Sequence, residues 1–153
     1  MAAINLPSEL IDAGAVILAA TDDLSMQAQG AMWVFDHSLG DWRYYLVTSL
    51  VDTVGRRKTY KLLIEIFDKI NVPRSMTVND VHLGSPVDPF FKLVSGAVGI
   101  SGGGYAIFSD CVFNGVAFDG LIYRSVREPP APQEAERIEK RFARRVKDLI
   151  RTT

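Results

Sequence analysis

The sequence holds few of the residues that make chemistry easy to recognise. It has one cysteine, Cys111, and two histidines, His37 and His82, in 153 residues. A single thiol excludes an internal disulfide and a cysteine-based zinc site within one chain, and it fits a reducing, cytoplasmic setting. Two histidines with neither H-x-x-x-H nor H-E-x-x-H spacing leave no expected metal site. Neither G-x-x-x-x-G-K-[ST] nor G-x-G-x-x-G occurs, and no cofactor is expected. No apolar stretch approaches the roughly 20 residues that cross a bilayer. Met1 to Pro7 carries no cation, and the apolar stretch after it contains Glu9 and Asp12. Signal peptide, membrane anchor and membrane partner are therefore not expected.

What is present is ordinary globular material: 48% hydrophobic and 23% charged residues, enough apolar content for one core in one domain. The net charge of −1 conceals segments of opposite sign. Residues 1–55 hold seven acids against Arg43, residues 56–74 six bases against Glu65 and Asp68, and residues 124–153 nine bases against five acids. Such alternation gives no long-range field for a polyanion, but it permits an acidic front to meet a basic tail in self-association.

Periodicity and turn chemistry predict the order α-β-β-α-β-α-β-β-α. Ser8 to Ala20 reads as a helix that is apolar almost all round, hence buried or packed against a partner. Ala28–Asp36 and Trp42–Leu50 read as strands joined by a turn, with large side chains on both faces. A second helix is expected over Val54–Ile70, a strand over Thr77–Leu83, and a third helix from Ser85-Pro86-Val87-Asp88 to about Val98. Asn114-Gly115 is the strongest hairpin signal, between strands Tyr105–Phe113 and Val116–Arg124. Two hairpins imply a mainly antiparallel sheet of about five strands with helices packed on it, the α+β class. The expected organisation is a domain over 1–126, a Pro-rich spacer at 127–132, and an amphipathic basic helix at 133–153. That last helix either joins the same domain or docks to a partner.

Four residues are candidates for chemistry. With a two-residue turn at Asn114-Gly115, Asp110 falls directly opposite Asp119, and opposed carboxylates call for a cation, a base or a shared proton. A bulge would dissolve that pair. Asp80 and His82, two apart on a strand, share a face and make a candidate base with its orienting acid. His37 reads as a solvated turn residue. The Gly99–Gly104 loop runs from helix to strand, the wrong order for cradling phosphate.

Binding candidates are basic. Arg56, Arg57 and Lys58 open the second helix, where cations oppose the helix dipole, so an anion or an acidic partner would explain them. On the terminal helix, Arg137, Arg141 and Arg144 lie near one face, beside an apolar stripe that includes Ile138, Phe142 and Leu149. The resulting expectation is a non-enzymatic interaction or accessory module, self-associating or bound to another protein. A small, possibly metal-dependent hydrolase built on Asp110 and Asp119 is the alternative. Phosphate contact with nucleic acid through the basic segments is the third reading.

Overall fold

The computed structural model describes residues 5–73 and 76–151. The chain folds as α1 (Ser8–Asp23), β1 (Gly30–Asp36), β2 (Asp41–Val47), α2 (Leu50–Thr53), α3 (Arg56–Phe67), β3 (Val81–Gly84), α4 (Pro89–Ala97), β4 (Ala106–Phe113), β5 (Val116–Ser125) and α5 (Pro132–Arg151). This is the expected α+β class. The five strands lie in the order β3-β2-β1-β5-β4. Three neighbouring pairs are antiparallel, and β2 with β3 is parallel, so the sheet is mixed.

The parallel pair exists because α2 and α3 carry the chain across the sheet between β2 and β3, where a tight turn could only return it antiparallel. The helix expected over Val54–Ile70 runs over Arg56–Phe67: Gly55, at φ +90°, a conformation in which a β-carbon is strained, stands immediately before its first turn. Two further boundaries move. Residues 78–80 form a 3₁₀ turn capped by Thr77, whose main-chain amide donates to Asp80 Oδ2 at 2.8 Å. The strand therefore begins only at Val81. Ser85 to Asp88 closes a turn, with the Asp88 amide 3.0 Å from the Ser85 carbonyl, and α4 starts at Pro89.

Strand alternation sorts the core into two layers. Trp33, Tyr44, Leu46, Leu121 and Tyr123 face α1, α3 and α5, contributing with Ile17, Leu63, Ile66, Ile138, Phe142 and Val146 to the larger core. Met32, Val47, Phe118 and Ile122 face Phe91 and Val94 of α4. A shift of register between Ala31 and Met32 leaves Tyr123 as an extra residue on β5, so Tyr123 and Arg124 both reach α1. Three aromatic side chains then donate to α1 carbonyls: Trp33 to Leu10 at 3.0 Å, Tyr44 to Gly14 at 2.8 Å, and Tyr123 to Ile11. Glycine at position 14 makes this approach possible, since a β-carbon there would lie 2.4 Å from Tyr123 Oη.

The terminal helix belongs to the same body. Ile138, Phe142 and Val146, spaced one helical turn apart, are at most 1% exposed inside their own chain. The segment before α5 is tied down as well: Gln29 Nε2 donates to the Glu128 carbonyl at 2.6 Å.

Candidate functional site

The hairpin closes on Asn114 and Gly115, both at positive φ, and Phe113 pairs with Val116 as expected. The register then slips. Cys111 pairs with Phe118 and Phe108 with Gly120, so Ser109 and Asp110 together oppose Asp119. Asp110 takes φ 52° at this bulge. The two carboxylates do not face each other: it is the Asp110 amide that donates to Asp119 Oδ1, at 2.6 Å. The other oxygen of Asp119 lies 2.9 Å from His37 Nε2, across 82 residues of sequence. The charge of Asp119 is thus compensated by an amide and an imidazole. Among the described residues, no three His, Cys, Asp or Glu side chains gather as a metal-ligand set.

Asp80 and His82 are also separated. The Asp80 carboxylate caps the turn before β3, while His82 lies within the strand, on the α4 side of the sheet beside Tyr45. Burial, followed by the charges of Arg43 and Arg56, holds the His82 pKa below its ordinary value against the opposing pull of Asp88. Its imidazole is accordingly neutral near pH 7.

Arg56 is an anchored residue. Its Nε donates to the Leu83 carbonyl at 3.0 Å, and its guanidinium lies 3.6 Å from Asp88. Asp88 in turn accepts from the Ser85 amide at 2.9 Å, and the Ser85 hydroxyl donates to Asp52 at 2.7 Å. This chain of contacts fastens the start of α3 to the β3–α4 turn. Arg57 and Lys58 remain exposed and, with Lys61, line an open hollow at the start of α3. Gly55 leaves that helix without a side-chain cap, and its first turn holds no acid.

On α5, Ile138 and Phe142 are core residues and Leu149 is half-buried. This corrects the expectation that they meet a partner: their stripe packs on α2 and α3 and into the core of the same chain. Arg137 and Arg144 are exposed, and Arg141 is half-buried. Arg137 pairs locally with Glu134 at 3.6 Å, following the helical spacing.

No family model, curated protein or solved structure matches this chain. Function must therefore be read from surfaces and cavities.

Two such features stand out. Between α1 and the loop before β4 runs a groove of about 250 Å³, lined on one side by Ile11, Ala15, Leu18 and Ala19 and on the other by Gly103, Gly104 and Tyr105, with the charged Asp12, Asp22 and Arg124 also in its wall. Beyond it the sheet is uncovered: Tyr105, Ile107 and Val112 are 52%, 54% and 66% exposed. Ile107 pairs with the core residue Leu121, so it lies on the same face as α1. The second feature, a hollow beside His82 on the opposite face, is lined by Tyr45, Asp88, Phe90 and Phe91. The sequence marks these aromatics only as core material, because their convergence depends on the β2–β3 pairing.

Proposed function

We propose that the protein is a non-enzymatic interaction module that self-associates through the outer side of α1 and the uncovered strip of β4. The observation that carries this reading is the adjacency of two apolar surfaces across a groove that also holds Asp12 and the Asp22–Arg124 ion pair. Ala15, Val16 and Ala19 are exposed on α1, and the groove joins Ala15 and Ala19 to Tyr105. Ile107 and Val112 extend the apolar side chains along an edge strand. Apolar surface of this kind is removed from water when a partner covers it.

A second copy suits the surface. Small alanines on α1 admit close approach of another backbone, and the larger Tyr105, Ile107 and Val112 supply the bulk to fill the space, so a two-fold arrangement is self-complementary. Backbone pairing of two β4 edges is opposed by the bulge at Ser109 and Asp110 and by the exposed acid itself. The contact is therefore made by side chains.

Sedimentation from about 10 to about 200 µM tests the reading across the affinity range of ordinary dimers. The wild type is expected to dimerise with rising concentration. Val16→Glu and Ile107→Glu, both at exposed positions, are expected to stay folded and monomeric. A wild type that remains monomeric throughout refutes self-association.

A further inference from the structure

We propose that the hollow between β2, β3 and the start of α4 binds a flat nitrogen heterocycle carrying ring N–H donors, of the purine or pyrimidine kind. The hollow measures about 220 Å³. Its walls are aromatic. Tyr45 sits between His82, at a ring distance of 4.6 Å, and Phe90, at 5.3 Å, while Pro89 and Phe91 complete the lining. Planar rings stacking against such walls gain contact area and a favourable edge or face geometry.

The polar groups are few and unpartnered. Neither the Tyr45 hydroxyl nor the His82 imidazole makes a hydrogen bond among the described residues. Asp88 uses Oδ2 for the Ser85 amide and Arg56, and its Oδ1 has no hydrogen bond among those residues. The hydroxyl and the imidazole are half-buried and open to water, so a ligand that pairs with them exchanges that water for fixed partners.

Charge selects among ligands. Asp88 only accepts, which disfavours phosphate or carboxylate in the hollow. Arg56, 3.6 Å away, offsets the Asp88 charge, which disfavours a quaternary ammonium despite the aromatic walls. A neutral ring with N–H donors meets all three groups: it donates to Asp88, and it donates to or accepts from Tyr45 and the neutral imidazole. The volume takes one or two fused rings and leaves a sugar outside. The hollow lies on the α4 face, opposite the α1–β4 strip, so this inference and the self-association reading stand or fall separately.

The test is protein-observed NMR titration with uridine, thymidine and inosine in turn, each of which carries one ring N–H, to about 5 mM, which reaches weak fragment-like affinities. Tetramethylammonium and inorganic phosphate are titrated in parallel. At least one nucleoside is expected to give saturable shifts centred on Tyr45, His82 and Phe90. Phe90→Leu, which keeps apolar bulk without the ring, and Asp88→Asn are each expected to weaken binding about tenfold. If Asp88→Asn melts early because Ser85 is released, Phe90→Leu carries the comparison. Four results overturn the proposal: no nucleoside saturates, the shifts lie elsewhere, tetramethylammonium or phosphate binds the hollow more tightly, or a stably folded Phe90→Leu binds unchanged.

Discussion

Replacing Gly14 by alanine sets two effects against each other in one residue. Helix propensity favours the change, because Gly within a helix is less favourable than Ala by about 0.8–1.0 kcal/mol. Packing opposes it. The new β-carbon would lie 2.4 Å from Tyr123 Oη and 2.8 Å from both Trp33 Nε1 and Tyr123 Cε2. These atoms belong to buried rings whose polar tips are bonded to α1 itself, so they cannot swing aside without losing the Trp33 and Tyr123 hydrogen bonds. Overpacking costs about 1–3 kcal/mol, and a buried donor left unmade about 1–3 kcal/mol more. The expected balance is a loss of about 2–4 kcal/mol, or about 5–15 °C in Tm for a domain of this size. Urea and thermal unfolding followed by tryptophan fluorescence measure it, since Trp33 lies at the contact. Gly96→Ala in α4 is the matched control, with no atom within 4 Å of the added carbon, and it should hold or raise stability. A Gly14→Ala variant as stable as the wild type would refute the claim that α1 is clamped through its missing side chain.

Two further outcomes follow from burial and charge. Phe142→Ala is expected to cost about 3–5 kcal/mol, because the ring is fully buried, whereas exposed Arg144→Ala should stay within about 0.5 kcal/mol in the same unfolding assay. Equal effects would mean that α5 does not complete the core. His82 has a pKa below its unfolded value, so the unfolded chain binds the proton more readily. Its neutral form supports the fold above about pH 6.5, and that support declines as the pH falls through the unfolded pKa and beyond. The wild type should therefore lose stability relative to His82→Gln as the pH falls below about 6.5, and parallel curves would contradict the assignment.

Local features were legible in the sequence, and long-range ones were not. Asn114-Gly115 announced its hairpin because two residues at positive φ admit few side chains. Helical spacing marked α3 and α5. The bulge at Ser109 and Asp110 left no such mark, since nothing in either residue demands it, and it undid the opposed carboxylates. The His37 contact with Asp119 joins residues 82 positions apart and has no local signature. The parallel placement of β3 escaped for a related reason: strand order is set by how a crossover packs, and periodicity carries no information on it. The apolar stripe of α5 was visible, but the same pattern serves a core and a partner surface equally well. Its spacing of Ile138, Phe142 and Val146 fixes which side is apolar, and only the fold decides what covers that side.

The burial of one face of α5 in the core has a consequence for synthesis in the cell. Ile17 of α1 and Val146 of α5 contribute to the same core, so a ribosome must extrude α5 before that core can seal. Until then Leu50, Leu63 and Ile66 lack part of their cover, and a nascent or prematurely stopped chain presents the sticky surface that chaperones and proteases recognise.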